Sequence, residues 1–206
     1  MGLYEKFVLP AMLDFAMRQK PIEKQREKVV PKAAGKVLEI GIGSGLNLDF
    51  YDSSKIEKLW GLDPSTELQV RARDRAAAAG VDVEFLLLSA EEIPLQDQAC
   101  DTVLVTYTLC TIPEPDRALA EMRRVLKPDG KLIFCEHGHA PDANVARWQD
   151  RLNPMWRKIA GGCNMNRKIP GLLEDAGFEI DELETMYIPG VRALSFNYWG
   201  QATPAS

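Results

Sequence analysis

The sequence has little from which to build a stapled or metal-held protein. Only four cysteines occur in 206 residues, Cys100, Cys110, Cys135 and Cys163, and no two form a C-x-x-C pair. That scatter argues against a disulfide framework and fits reduced, buried thiols. Histidine is scarcer: His137 and His139 are the only two, with no carboxylate or cysteine at ligand spacing. No metal site is expected from that pattern. Long apolar runs are also missing. The early stretch 7–13 contains Pro10 and falls short of the roughly 20 residues of a membrane span. Glu5 and Asp14 flank or interrupt it, which argues against a secretory signal peptide and for a cytoplasmic protein. Positive charge is in deficit, with 25 Lys+Arg against 30 Asp+Glu and a net charge of −5. No nucleic-acid partner is expected of such a chain.

What is present is an ordinary globular composition, 46% hydrophobic and 27% charged, at a length that suits one α/β domain over 1–206. Three stretches differ in pattern. Residues 1–35 form a leader, in which Val8, Met12 and Phe15, with Leu9, Leu13, Ala16 and Met17 beside them, follow helical spacing. Pro10 and Pro21 start or break helices there. Arg18, Lys20, Lys24, Arg26, Lys28, Lys32 and Lys36 outweigh Glu23 and Glu27, a local charge of +5. Such a run is either a solvated helix face or a contact for an acidic substrate or a membrane surface.

In residues 36–140, short apolar runs alternate with helical patterns. Strands are expected at 36–40, 59–63, 83–88, 102–107 and 132–135. Helices are expected at 64–79, stopped by Gly80, and at 115–126, followed by a turn at 127–130. Alternation of this kind implies a mainly parallel sheet with right-handed crossovers. In residues 141–206 the pattern changes to helices at 142–159 and 167–176, then strands at 178–188 and 193–202 that suit an antiparallel edge pair.

Glu39-Ile40-Gly41-Ile42-Gly43-Ser44-Gly45 follows the first strand and is expected to open a helix. Glycines there permit a tight turn and close approach of a ligand to backbone. The spacing is G-x-G-x-G. The dinucleotide pattern G-x-G-x-x-G would need a third glycine where Leu46 stands, so no pyrophosphate is required. Asp63 closes the second strand, 20 residues past Gly43. Its carboxylate can accept from both hydroxyls of a ribose, or cap a helix opened by Pro64. Beside the glycine turn, the ribose role is the better reading.

Taken in order, these residues resemble the class I S-adenosylmethionine (SAM)-dependent methyltransferases. Val37 to Gly45 resembles that family's first motif, and Gly61-Leu62-Asp63-Pro64-Ser65 its second. Ser89-Ala90-Glu91-Glu92-Ile93-Pro94-Leu95 resembles its adenine loop. Cys100-Asp101-Thr102-Val103 and Val125 to Gly130 resemble its later signature. The resemblance implies a Rossmann-like α/β fold, a seven-stranded sheet of order 3-2-1-4-5-7-6 with one antiparallel strand and helices on both faces. It implies SAM as cofactor, S-adenosylhomocysteine as product, and a cofactor site made of Glu39, Gly41, Gly43, Gly45, Asp63, Pro64, Ser65, Ser89, Ala90, Glu91 and Thr106. The adenine loop often begins with Asp; here Ser89 stands there, and Glu91 is the alternative contact to the adenine amine.

A narrower resemblance covers the tail. Cys110, Glu136-His137, Trp148-Gln149, Leu152, Pro154, Trp156, Gly162-Cys163-Asn164 and Arg167 are similar to the methyltransferase-like seven group of alkyl-thiol S-methyltransferases. That group carries a hydrophobic N-terminal anchor where this chain has its charged leader, and bacterial-type relatives are labelled phospholipid N-methyltransferases. The resemblance implies a small, fairly apolar acceptor, an alkyl thiol or a phosphatidylethanolamine-type amine, with the leader as lid or as a peripheral membrane contact. Tyr107 and His137 are the candidate catalytic residues, each with a packing role as the alternative. Trp148, Trp156 and Cys163 are candidates for an acceptor pocket. A nicotinamide dehydrogenase is disfavoured by Leu46, and a non-catalytic SAM-binding module is the remaining alternative.

Overall fold

The computed structural model describes residues 9–205. Val8 and the front of the leader's apolar run lie outside the described residues. Seven strands, β1 (Gly35–Ile40), β2 (Ile56–Leu62), β3 (Glu84–Leu86), β4 (Cys100–Thr106), β5 (Leu126–His137), β6 (Phe178–Tyr187) and β7 (Phe196–Pro204), form one sheet of order β3-β2-β1-β4-β5-β7-β6. The order is the expected one. β7 runs antiparallel to both β5 and β6, and the other pairs are parallel.

The central strands are rich in Val, Leu and Ile because both of their faces are covered. Alternate residues go to opposite cores. Leu38, Ile40, Val103, Val105 and Phe134 pack with Leu119 and Met122 of α4 (Pro115–Val125) and Leu173 of α6 (Ile169–Asp175). Val37, Leu104 and Ile133 pack on the other face with Val29 and Val30. Strand order reverses between β1 and β4, which opens a crevice at their carboxyl ends, the usual ligand position in such sheets.

Several boundaries differ from the sequence reading. No α-helix follows the glycine turn; the chain makes turns and then two 3-10 turns, Leu48–Phe50 and Ser53–Lys55. Gly41, Gly43 and Gly45 all adopt positive φ, at 68°, 55° and 77°, and such a succession cannot enter a right-handed helix. Helix α3 (Thr66–Ala79) starts later than expected because the Ser65 hydroxyl is its cap, accepting from the Leu68 N–H at 3.3 Å. Asp63 is thereby freed from capping. β3 keeps only three residues. The turn at 127–130 is absorbed into β5 as an irregularity, where pairing steps from Cys100–Leu126 to Thr102–Lys131.

The leader folds as α1 (Leu9–Met17) and α2 (Lys20–Val29), with Pro21 in the first turn of α2. Its basic run is not a uniformly solvated face. Arg26 is buried, Lys28 Nζ lies 3.9 Å from the centre of the Trp199 ring, and Lys32 pairs with Glu182 at 2.8 Å. Lys20 and Lys24 stay exposed. No helix among the described residues is long and apolar enough to cross a membrane.

Candidate active site

At the crevice beyond β1 and β4 lies a cavity of about 540 Å³. Its floor is the glycine turn and the ends of the central strands. Its cover is the leader, through Met12, Asp14, Met17, Ile22 and Arg26. The Ser44 hydroxyl donates to Asp14, which fastens α1 over the turn, and within the leader Arg18 pairs with the same carboxylate at 2.7 Å.

Of the candidate cofactor residues, the structure brings Glu39, Gly41, Gly43, Asp63 and Thr106 to this wall. Asp63 is buried, and each of its oxygens accepts one backbone N–H, from Gly43 at 2.9 Å and from Ser65 at 2.8 Å. Burial raises its pKa, against those two hydrogen bonds. Each oxygen keeps a lone pair for a ligand hydroxyl. Glu39 is fully enclosed and accepts from Asn47 Nδ2 at 2.9 Å and from the Tyr51 hydroxyl at 2.7 Å. Burial pushes its carboxyl up to about 7, the two hydrogen bonds and Arg26 pulling the other way. Asn47 also donates to Thr106 Oγ1 at 3.0 Å.

Two observations mark this end as built for a ligand. Among the described residues, a Cβ at Gly43 would meet nothing nearer than the Gly41 carbonyl at 3.8 Å, so the turn offers bare backbone to open space. Asn47 Oδ1 and Arg26 Nε are buried without a partner among the described residues, and both residues line the cavity. Such groups normally find one.

The remaining candidates sit elsewhere. A Cβ on Gly45 would strike Leu48 and Ala72, so this glycine serves the packing of α3. Pro64 is exposed, and the Ser65 backbone and hydroxyl serve Asp63 and the α3 cap. Ala90 is in the core, Ser89 donates to Glu91, and Glu91 accepts from the Glu114 N–H. None of these six lines the cavity.

The other end of the cavity is lined by Trp156, Ala160, Cys163, Ile188 and Leu194, with His137 and Cys110. These positions come from α5 (Ala143–Ile159), the loop after it, and the segment around β7. Trp148, on the same helix, is 57% exposed and does not reach the cavity, which corrects its place in the acceptor pocket. Tyr107 lines the wall just past β4, in the left-handed region at φ 52°. His137 ends β5, with Nε2 3.3 Å from Cys163 Sγ. A hydrogen bond from Cys110, together with that from His137, pulls the Cys163 thiol below its ordinary range, while Cys110 is pushed up. Glu136 points away and accepts the N–H groups of Thr108 and Leu109 at 2.7 and 3.1 Å, fixing the loop after β4. Arg26, Asn47 and Asn197 were not singled out by the sequence reading. Only the basic run marked Arg26, and nothing local marked the asparagines.

This sheet order, with a glycine turn after β1 and a buried carboxylate past β2 at the switch point, defines the Rossmann-like class that binds adenosyl cofactors. A family model described as a methyltransferase domain matches residues 38–134. Thiol S-methyltransferase TMT1B of Homo sapiens is 33% identical over 187 residues, covering 85% of this chain and 76% of that protein. Phosphatidylethanolamine N-methyltransferase of Cereibacter sphaeroides is 34% identical over 105 residues, 50% of this chain and 51% of that enzyme. A SAM-dependent methyltransferase of Thermotoga maritima superposes with a TM-score of 0.68 at 25% identity over 97% of both chains. The chain belongs to the SAM-dependent methyltransferase family, and SAM is its cofactor.

Proposed function

We propose that the chain methylates a small, fairly apolar acceptor, an alkyl thiol in the first place. The observation that carries this reading is the apolar far end of the cavity, where Trp156, Ala160, Ile188 and Leu194 surround the Cys163–His137 pair. SAM supplies an electrophilic methyl group on a sulfonium. The protein's task is then alignment and exclusion of water. Asp63 binds the ribose hydroxyls, and the bare Gly43 backbone lets the cofactor approach closely, while Gly41 makes room for the Thr108 side chain. Glu39 and Asn47 offer acceptor atoms beside it, and Thr106 braces Asn47. The leader's Met12, Met17 and Ile22 place apolar side chains along the cavity, which lessens its contact with water. Tyr107 shapes the wall between the two ends, and His137 orients the acceptor. A thiol deprotonates near pH 8.5 and is then a strong nucleophile, so it needs little beyond this. Similarity to TMT1B supports the thiol.

A phospholipid amine is the second reading. Similarity to phosphatidylethanolamine N-methyltransferase and the exposed Lys20 and Lys24 favour it, with the leader then touching an anionic membrane surface. The test is transfer of labelled methyl from SAM to an alkyl thiol and to phosphatidylethanolamine in neutral and anionic vesicles. Transfer to the thiol is expected without vesicles. Transfer to the lipid with none to thiols overturns the first reading in favour of the second.

A further inference from the structure

Three soft or borderline donors converge at the apolar end of the cavity from distant parts of the chain. Cys110 lies in the loop after β4, His137 ends β5, and Cys163 follows α5. Cys110 Sγ, Cys163 Sγ and a ring nitrogen of His137 all lie within 4.8 Å of one another, and Cys163 Sγ is 3.3 Å from Nε2. Tetrahedral zinc, with bonds of about 2.3 Å to sulfur and about 2.0–2.1 Å to nitrogen, holds neighbouring donor atoms about 3.5–3.8 Å apart. The cluster needs only sub-ångström to ångström adjustment to meet that geometry.

The backbone holds the donors without help from an ion. The Asn164 N–H and Nδ2 both donate to the Cys110 carbonyl, at 2.8 and 2.9 Å, which ties the Cys110 loop to the segment carrying Cys163. Arg167 donates to the carbonyls of Leu109 and Ile112 on either side of Cys110. All three donor residues line the cavity, so an ion among them would keep one face toward it. Three protein ligands and one open position is the donor count of reactive zinc sites, whereas structural sites are closed by four. Thiolate and imidazole donors select against magnesium and calcium.

We propose that Cys110, His137 and Cys163 form a zinc-type site whose fourth position opens into the acceptor end of the cavity and takes a thiolate sulfur. On binding, each cysteine exchanges its S–H bond for a metal–sulfur bond, and both protons pass to solvent. Neutral His137 contributes the Nε2 lone pair. Two thiolates balance the divalent charge, so the loaded site is neutral overall and tolerates its burial. An acceptor thiol entering the fourth position gives its proton to solvent in the same way. Binding of the ion stands on the three side chains alone; the role of the fourth position rests on the thiol reading.

The test uses the tag-free, reduced, metal-stripped full chain, titrated with Co²⁺ with no acceptor present. One equivalent is expected to bind, with visible ligand-field bands and a thiolate-to-cobalt charge-transfer band, and one equivalent of Zn²⁺ is expected to displace it. Cys163→Ser and His137→Gln are each expected to weaken binding by at least tenfold, with S-adenosylhomocysteine affinity measured alongside to show that the fold is kept. Absence of a stoichiometric charge-transfer band in the wild-type chain, while it still binds S-adenosylhomocysteine, overturns the site, as does metal binding unchanged in both variants. Stoichiometric cobalt binding by a chain that methylates no thiol keeps the site and removes the thiol reading. Thiol methylation by a chain that binds no cobalt does the reverse.

Discussion

The Tyr107 hydroxyl donates to Asn197 Oδ1 at 2.6 Å, joining the end of β4 to β7 across β5. Asn197 is fully buried, pairs in register with His137, and donates in turn to the Ser195 carbonyl at 3.0 Å. Arg26 of the leader lies over the Tyr107 ring, 5.5 Å from its centre. Tyr107 itself is held at φ 52°, a conformation that costs a non-glycine residue about 1–3 kcal/mol and persists only where neighbours enforce it. The phenol, the asparagine and the guanidinium are those neighbours. The strained residue is the one between the two ends of the cavity.

Removing the hydroxyl should therefore be felt in stability. Tyr107→Phe leaves Asn197 Oδ1 buried without a donor, at a cost of about 1–3 kcal/mol. A double-mutant cycle with Asn197→Ala, read by chemical denaturation, should return a coupling of about 0.5–3 kcal/mol. A coupling near zero would mean that the two side chains do not support one another.

Asp63 is expected to affect both binding and folding. Asp63→Ala should weaken S-adenosylhomocysteine binding by about 1.5–3 kcal/mol, the range for hydrogen bonds to a charged group. The same change strips the Gly43 and Ser65 N–H groups of their acceptor, so the melting temperature should fall as well. Calorimetry that finds unchanged affinity in a destabilised protein would reduce Asp63 to a brace for the turn.

Glu39 sets a pH dependence with a definite sign. Burial raises its folded-state pKa from 4.5 to about 7. A raised pKa means the folded state holds the proton more tightly than the unfolded chain does. The stability it contributes is thus complete below pH ~4.5 and is lost as pH rises through ~7, amounting to about 3 kcal/mol. The ligand-free wild type should lose stability over that window relative to Glu39→Gln, which cannot ionise. Parallel denaturation curves for the two proteins from pH 4.5 to 7.5 would contradict the burial of an ionisable Glu39.

The sheet order was accessible in advance because its signals are local. Val, Leu and Ile runs mark β1 and β4, and Gly80 stops α3. Asp63 stands at a spacing from Gly43 that only a βαβ-like crevice makes meaningful. Other features depend on pairs that no short window contains. Nothing near Arg26 says that it will lie over Tyr107, and nothing near Asn197 says that it will meet a phenol from β4. The cysteines carried no ligand spacing, yet the chain folds Cys110 and Cys163 onto His137. The helix expected after Gly45 failed for a conformational reason, three positive-φ glycines in five residues. Trp148 failed for a rotational one, since it lies on the solvent side of α5 while Trp156 faces the cavity.

Gly43 and Gly45 separate cofactor contact from packing within one turn. Both have positive φ, so alanine at either strains the backbone by about 1–2 kcal/mol. Their surroundings differ. A Cβ on Gly43 projects into open cavity, whereas one on Gly45 would lie 2.7 Å from Leu48 Cδ1 and 3.2 Å from the Ala72 backbone. Gly43→Ala should consequently melt only a few degrees lower, at about 2–4 °C per kcal/mol for a chain of this size. It should still lose S-adenosylhomocysteine affinity by at least tenfold, because the methyl group occupies space the cofactor needs. Gly45→Ala should show the opposite balance: a larger fall in melting temperature from the clash with Leu48 and Ala72, and affinity within about threefold of wild type once the protein is fully folded at the assay temperature. Equal affinity losses at the two positions would show that the whole turn touches the cofactor and that Gly45 belongs to the binding surface after all.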